Sequence, residues 1–259
     1  LLNGVLSLLL LAISAAMIVE MFEVKSPILS AVIGGVFVAF PSIVCLFFYM
    51  FTAVFYAVSI LFAVWTAYLV IRYPKNIAAH VAAVLLLACS LGVYQAYFPI
   101  TVCLLVASVI LSAAFSEEEK NWKDVVFQAA RYVAVLAAGM VVYFLINKAV
   151  LSYYDMEMIS YQGGASMGKI TLDQLLSAVK RCYVDFFNLG RDNVLVLNAT
   201  GLMRKCYQGI LILAALSVVL FLILSKRNWF QKIWMLLGIA IFPVSMFLVY
   251  VMAPDAQTY

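Results

Sequence analysis

The chain has 259 residues, of which 67% are hydrophobic and 11% charged, whereas a soluble globular domain carries roughly 25% charged residues. This composition excludes a soluble domain and predicts an integral membrane protein that crosses the bilayer several times. The net charge of +4 is small, and no basic cluster is interleaved with aromatic side chains, so nucleic acid is not expected as a partner.

Eight apolar segments have the length and composition expected of membrane-spanning helices. They are Leu1–Val19, Ile28–Phe48, Val54–Ile71, Ile77–Val93, Phe98–Phe115, Val125–Ile146, Tyr207–Leu224 and Ile233–Met252. We therefore predict an all-α fold, a polytopic transmembrane helix bundle that forms a single transmembrane domain over residues 1–259. No initiator Met and no basic region precede the first segment, which we interpret as a true span in a fragment of a longer protein.

Two stretches of this apolar pattern raise questions of helix geometry. Residues 77–115 would form a helix about 58 Å long, and the hydrocarbon core is about 30 Å thick, so the chain must fold back on itself. The polar break Tyr94-Gln95-Ala96-Tyr97 is the expected turn. Pro41 lies inside the second segment, where we expect it to kink the helix.

Short connections that contain Lys and Arg alternate along the chain with two tight turns that contain none and with one long connection, residues 147–206, that carries seven basic residues. The basic connections are Glu20–Pro27, Arg72–Asn76, Ser116–Asp124 and Ser225–Lys232. Short loops rich in Lys and Arg stay in the cytoplasm. We therefore predict that the turns Tyr49–Thr52 and Tyr94–Tyr97 and the long connection Asn147–Cys206 face outward.

The long connection, residues 147–206, contains one helical pattern. Thr171 and Gln174 have the spacing of a capping box, and the apolar residues that follow recur with helical spacing. These are Leu172, Leu175, Leu176, Val179, Cys182, Tyr183 and Phe186. We predict an amphipathic helix near residues 171–188, lying against the outer membrane surface or against the bundle. Cys182 and Cys206 could pair if this connection lies outside.

The outward turns concentrate aromatic, hydroxyl and amide side chains. This combination suits a sugar, because aromatic faces stack on the C–H face of the ring while hydroxyls and amides bind its hydroxyl groups. The candidate substrate-binding residues are Tyr49, Thr52, Tyr56, Tyr94, Gln95, Tyr97, Tyr161 and Gln162. An aromatic belt at the membrane interface is the alternative explanation for the tyrosines, but it does not account for the two glutamines.

Two blocks in these turns resemble the Gtr type II glucosyltransferases, bacterial membrane enzymes that decorate surface polysaccharide such as O-antigen. The blocks are Ala39-Phe40-Pro41 through Tyr49-Met50-Phe51-Thr52 to Tyr56, and Leu91-Gly92-Val93-Tyr94-Gln95-Ala96-Tyr97; Tyr143 and Tyr161-Gln162-Gly163 fit the same pattern. The resemblance implies a GT-C-like fold in the bacterial inner membrane, with its site facing the periplasm or the cell exterior. It also implies transfer of glucose, or a similar hexose, from a polyprenyl-phosphate carrier to a glycan acceptor.

Such a transfer requires a carboxylate base for the acceptor hydroxyl and cationic groups for the leaving phosphate. GT-C enzymes generally carry the carboxylate in their first outer loop, and no catalytic base is assigned in this chain. Lys148, Arg181 and Arg191 are candidates for the phosphate contact, with anchoring to membrane lipid headgroups as the alternative. No cofactor or metal site is evident, since the sequence contains no Gly-rich phosphate loop, Asp-x-Asp pair or Cys/His ligand spacing, and the metal requirement of the reaction stays unknown.

Two other functions remain open at this stage. A transporter or flippase for lipid-linked saccharides would need polar residues along a path through the whole membrane, and Ser59, Thr66, Ser90 and similar hydroxyls are the only candidates at mid-depth. A polysaccharide polymerase of similar build would act on a different substrate, and we would expect it to contain more arginine in its outer loops.

Overall fold

The computed structural model describes residues 2–115, 122–156, 170–188 and 201–252, and all regular elements within these ranges are helical. The helices are α1 (Leu2–Met21), α2 (Pro27–Ala39), α3 (Pro41–Val44), α4 (Ala53–Arg72), α5 (Ile77–Val93), α6 (Phe98–Phe115), α7 (Trp122–Tyr153), α8 (Leu172–Asn188), α9 (Gly201–Leu224), α10 (Trp229–Met246) and α11 (Val249–Met252). Short 3₁₀ helices span Cys45–Tyr49 and Gln95–Tyr97. The predicted all-α class is confirmed.

Six helical segments in the described residues are long and apolar enough to cross a membrane, so the predicted eight spans are a slight overcount. The six are Leu2–Met21, Ala53–Arg72, Gln95–Phe115, Trp122–Tyr153, Arg204–Leu224 and Trp229–Met246. The two apolar helices that fall short are α2, with 13 residues, and α5, with 17. At 1.5 Å per residue α2 is about 20 Å long, less than the hydrocarbon core of about 30 Å.

The expected kink at Pro41 is instead a complete break. Helix α2 ends at Ala39, and Phe40 adopts an extended conformation with φ −61° and ψ 133°. A residue that precedes proline is pushed out of the helical region by contact with the proline ring. Pro41 then begins the four-residue helix α3, where its missing N–H costs nothing.

The described residues form two compact units. The first comprises Leu1–Ser108 with Val126–Glu157, and the second comprises Val109–Val125 with Met158–Tyr259. The single transmembrane domain stays a prediction.

In the first unit α4 packs against both α1 and α5 through small side chains. Ala57, Ala63 and Ala67 on α4 and Ala83 on α5 are fully buried, which lets the backbones approach closely. Hydroxyl groups add hydrogen bonds between helices. Between α4 and α5, Ser59 Oγ donates to the carbonyl of Ser90 at 3.0 Å, and Ser90 Oγ donates to the carbonyl of Ser59 at 2.9 Å. Thr66 Oγ1 donates to the carbonyl of Ala83 on α5 at 3.3 Å. From α6, Thr101 Oγ1 donates to the carbonyl of Ala63 on α4 at 2.9 Å.

Contacts between distant parts of the chain define two ends of the first unit. At one end, called the charged end, Arg72 pairs with Glu23, and Arg131 donates to the carbonyl of Pro74 at 3.1 Å. At the other end Asn3 donates to the carbonyl of Met50 at 3.4 Å. The turn between α5 and α6 lies at this second end, because Gln95 contacts Tyr143, far along α7 from Arg131. The predicted hairpin at Tyr94–Tyr97 is confirmed.

In the second unit α8 packs against α10 and α11. The predicted capping box is present: the Thr171 amide donates to Gln174 Oε1 at 3.0 Å, and the Gln174 amide donates to Thr171 Oγ1 at 3.4 Å. On the buried face Cys182 lies against the carbonyl of Phe247, and burial raises the pKa of its thiol to about 11. Cys206 is exposed, and both thiols are free, so the disulfide considered from sequence is not formed.

Gly139 allows α7 to approach α5 closely, and we expect Gly139→Ala to destabilise the protein. A Cβ at this position would lie 2.6 Å from Leu87 Cδ2 and 3.0 Å from Leu87 Cβ, so α5 itself would have to move. Overpacking of this kind costs about 1–3 kcal/mol. Thermal unfolding in detergent measures the loss, and adding Leu87→Ala should restore part of it.

The control for this prediction is Gly209→Ala, because a Cβ at Gly209 meets no atom within 4 Å. In a helix this change is neutral or stabilising by up to about 1 kcal/mol. Equal melting temperatures for the Gly139 and Gly209 variants would contradict the close approach of α7 to α5.

Candidate active site

Three tyrosines meet at the end of the first unit opposite the charged end. The ring centroids of Tyr56 and Tyr94 are 5.0 Å apart, those of Tyr94 and Tyr97 are 5.1 Å apart, and those of Tyr56 and Tyr97 are 6.3 Å apart. The rings are tilted or edge-on to one another, the arrangement that aromatic quadrupoles favour. All three side chains are half-buried. We call them the tyrosine cluster.

The local backbone explains why these rings converge. Tyr56 lies in the first turn of α4, directly after the Tyr49–Thr52 turn. Tyr94 ends α5 in an extended conformation, with φ −159° and ψ 108°, and the single 3₁₀ turn that follows brings Tyr97 next to it before α6 begins. Two turns that are about 40 residues apart in sequence thus form one surface.

Gln95 links the tyrosine cluster to α7. Its Nε2 donates to Tyr143 Oη at 2.7 Å, and Tyr143 is buried with 6% of its surface exposed. The side-chain amide oxygen of Gln95, Oε1, has no hydrogen-bond partner among the described residues. Because Tyr143 Oη accepts this bond, its own O–H remains able to donate to another group. The pair therefore offers one acceptor and one donor beside three aromatic rings.

The two remaining candidates of the first outward turn are less closely involved. Thr52 Oγ1 donates to the carbonyl of Tyr49 at 3.2 Å, which stabilises the turn itself. The Tyr49 side chain is 59% exposed and makes no ring contact with the tyrosine cluster in the part of the chain that the structure describes. Tyr161, Gln162 and Arg191 lie outside the described residues.

Lys148 lies on the same helix as Tyr143 and is not directed toward the same side. The predicted span ends at Ile146, but α7 runs on to Tyr153, so Lys148 is on a helix and not in a loop. Five residues correspond to a rotation of about 140° at 3.6 residues per turn. The exposed side chain of Lys148 therefore projects from a different face of α7 than Tyr143.

Arg181 belongs to the second unit, where a buried carboxylate holds it. Its Nε donates to Asp185 Oδ2 at 3.0 Å, one helical turn away. Asp185 is 1% exposed and also accepts a hydrogen bond of 2.9 Å from Tyr250 Oη. Within the described part of the chain only Nε is engaged in this way, so the terminal nitrogens of the partly exposed guanidinium remain able to donate to an anion.

The tyrosine cluster has the chemistry of a carbohydrate site. A groove of about 630 Å³ lies at the charged end of the same unit, but its lining residues include no aromatic ring that could stack on a sugar. Among the described residues no three His, Cys, Asp or Glu side chains are grouped so that they could hold a metal ion. What the cluster can do is stack on a pyranose ring and bind its hydroxyls.

Sequence reasoning found Gln95 but missed its partner. Tyr143 fits the family pattern, yet it was not among the candidate site residues, because it lies 48 positions away inside an apolar span. A polar atom in the middle of such a span needs a partner, and this rule was the available signal. Asp185 on the amphipathic helix α8 is buried as well, and a buried carboxylate also needs a partner; its contact with Tyr250 joins positions 65 residues apart.

Comparison with known proteins identifies the family of this chain. The family model described as glucosyl transferase GtrII matches residues 1–259, the whole chain. No curated protein and no solved structure matches it. The resemblance found in the two sequence blocks is thereby confirmed, and the apolar helices agree with an enzyme embedded in a membrane. The chain belongs to the GtrII glucosyl transferase family and is a membrane glucosyltransferase.

Proposed function

We propose that this glucosyltransferase moves glucose from a polyprenyl-phosphate carrier to a surface polysaccharide such as O-antigen, at the outer face of the bacterial inner membrane. The observation that carries the proposal is the tyrosine cluster with the Gln95–Tyr143 hydrogen bond beside it. Its place at the end of membrane helices gives a lipid-linked sugar access from the bilayer, while a glycan acceptor arrives from the water. A GT-C-like arrangement is part of this proposal.

The reaction is a displacement at the anomeric carbon of glucose. An acceptor hydroxyl oxygen attacks C1, the bond from C1 to the phosphate oxygen breaks, and its electron pair leaves with the polyprenyl phosphate. The hydroxyl proton passes to a base. In this scheme the tyrosines hold the ring, Gln95 and Tyr143 bind sugar hydroxyls, and a cationic group stabilises the phosphate charge. We assign no base.

A transporter or flippase receives less support from the same structure. The hydroxyls at mid-depth that could line a path, those of Ser59, Ser90 and Thr66, are buried and bond to facing helices. They act in helix packing. The polymerase alternative shares the reaction type and is distinguished by its acceptor and product.

The donor can be tested directly with the purified full-length protein in lipid vesicles. We expect transfer of radiolabelled glucose to O-antigen from polyprenyl-phosphate glucose and none from UDP-glucose in the absence of a lipid carrier. Direct use of UDP-glucose would overturn the proposed donor. Transfer that lengthens the polysaccharide by repeat units would favour the polymerase.

The proposed orientation places the tyrosine cluster outside and the charged end in the cytoplasm. We expect a cysteine at exposed Ala96 (Ala96→Cys) to react with a membrane-impermeant maleimide in spheroplasts, in a background without the native cysteines. Lys75→Cys, at the charged end, should react only after permeabilisation, because short basic connections stay in the cytoplasm. The opposite labelling pattern would invert the orientation.

A further inference from the structure

The charged end of the first unit contains a groove that sugar transfer does not use. Its volume is about 630 Å³, within the range of roughly 300–1,000 Å³ that small-molecule sites occupy. It is formed by α1, the connection to α2, α2 itself and the last residue of α4. The lining residues are Ala15, Ala16, Val19, Glu20, Glu23, Val24, Lys25, Ser30, Gly34 and Arg72.

The inner wall of the groove is aliphatic and made of small residues. Ala15 on α1 faces Gly34 on α2, where an added Cβ would lie 3.9 Å from Ala15 Cβ. The missing side chain of Gly34 and the short side chains of Ala15 and Ala16 leave room between the apolar helices α1 and α2. In this setting the natural occupant of an aliphatic slot is an acyl chain.

The rim of the groove combines two carboxylates and two cations. Glu23 has a left-handed backbone with φ 53°, a conformation that costs a non-glycine residue on the order of 1 kcal/mol, and its side chain pairs with Arg72. Glu20 Oε1 accepts a hydrogen bond of 2.7 Å from Tyr68 Oη. Lys25 is exposed and forms no ion pair with another described residue.

We propose that this groove binds one zwitterionic aminophospholipid, with an acyl chain against Ala15 and Gly34, its phosphate at Lys25 and its ammonium at Glu20. The four rim charges sum to zero, which matches a headgroup carrying one positive and one negative charge. An anionic lipid would bring a net charge that the rim does not balance. A choline headgroup cannot donate hydrogen bonds, whereas a primary ammonium offers three donors to a carboxylate.

Native mass spectrometry of the full-length protein in detergent tests this proposal, with dioleoyl phosphatidylethanolamine, phosphatidylglycerol and phosphatidylcholine as probes of equal chain length. We expect one retained phosphatidylethanolamine per protein and about tenfold weaker retention of the other two lipids, since hydrogen bonds to a charged group distinguish them. Equal retention of all three lipids would overturn the proposal. The measurement needs no sugar donor, so it is independent of the proposed function.

Two adjacent glycines provide a matched pair of variants. Gly34→Leu places a side chain in the groove and should abolish the retained lipid. Gly35→Leu is the control, because Gly35 is exposed and a Cβ there meets nothing within 4 Å; it should retain the lipid. Both changes raise helix propensity equally, and monodisperse elution with unchanged melting temperature checks that each protein is folded. Equal lipid occupancy in the two variants would refute the groove as the site.

Glu20→Gln tests the headgroup assignment separately from the acyl-chain assignment. Glutamine keeps an acceptor for Tyr68 but removes one negative charge, so the rim becomes net positive. The preference should then change from phosphatidylethanolamine to phosphatidylglycerol. An unchanged preference for phosphatidylethanolamine would show that Glu20 does not bind the ammonium.

Discussion

Gln95→Ala should lower glucose transfer by about tenfold to a hundredfold at equal expression. The substitution removes the hydrogen bond of 2.7 Å to Tyr143 and the amide oxygen that we expect to bind a sugar hydroxyl. A lost hydrogen bond that leaves a buried partner unsatisfied costs about 1–3 kcal/mol, and each 1.4 kcal/mol is about a factor of ten in rate when the bond acts in the transition state. A radiolabelled glucose transfer assay in membranes measures the effect.

The chain offers a matched control on the same helix. Gln128 Nε2 donates to Tyr132 Oη at 2.8 Å, which repeats the glutamine–tyrosine bond on α7 about three turns before Tyr143. Gln128→Ala removes the same type of bond away from the tyrosine cluster, so transfer should persist. An equal loss in the two variants would mean that Gln95 acts through the stability of α7 and not at the sugar.

Tyr143→Phe separates the contribution of the Gln95 amide itself from that of its hydrogen bond to Tyr143. It removes the hydroxyl and leaves the ring, so Gln95 loses its fixed orientation but keeps its amide. If the pair acts as one unit, the double variant should be no worse than Gln95→Ala alone. Additive losses would assign the two side chains independent roles.

The hydrophobic pattern by itself determines much of the fold. Long apolar runs need internally satisfied backbone hydrogen bonds in lipid, and helices provide them. For this reason the helical class and the hairpin at Tyr94–Tyr97 were predictable. The extension of α7 beyond Ile146 was not, because Asn147 and Lys148 interrupt the apolar pattern without interrupting the helix. Polarity marks where a span leaves the membrane and does not mark where its helix ends.

The candidate site was predictable in its residues and only partly in its arrangement. Tyr94, Gln95 and Tyr97 are adjacent in sequence, and their turn brings them together. Tyr56 joins them through packing of α4 against α5, which no local pattern encodes. Lys148 shows the converse: its position near an outer helix end was predictable, but the rotation that turns it away from Tyr143 depends on the continuation of α7 past Ile146.

The pairing of Arg181 with Asp185 illustrates the same limit in the second unit. Their spacing of four residues is that of a helical ion pair and could be inferred once α8 was predicted. That Asp185 is buried, and that Tyr250 is its second partner, follows from the packing of α8 against α11. An exposed pair of this kind contributes little, whereas removing one partner of a buried pair is costly because it leaves an uncompensated charge.

We therefore expect Asp185→Ala to lower the stability of the second unit strongly. It leaves the Arg181 guanidinium, 30% exposed, without its carboxylate, and it removes an acceptor from Tyr250. Breaking a buried pair by removing one partner costs about 3–5 kcal/mol, and partial exposure of Arg181 reduces this to about 2–4 kcal/mol. The melting temperature in detergent should fall, and limited proteolysis should begin in α8.

A second aspartate on the same helix isolates the role of burial. Asp173 is exposed in the first turn of α8, where its carboxylate interacts favourably with the helix dipole by about 0.3–1 kcal/mol, so Asp173→Ala should lower stability only slightly. Asp185→Asn keeps an acceptor for Tyr250 but removes the charge opposite Arg181, and its stability should fall between those of the wild type and Asp185→Ala. If Asp185→Ala proved no worse than Asp173→Ala, the buried pair would not be what fixes α8 against α11.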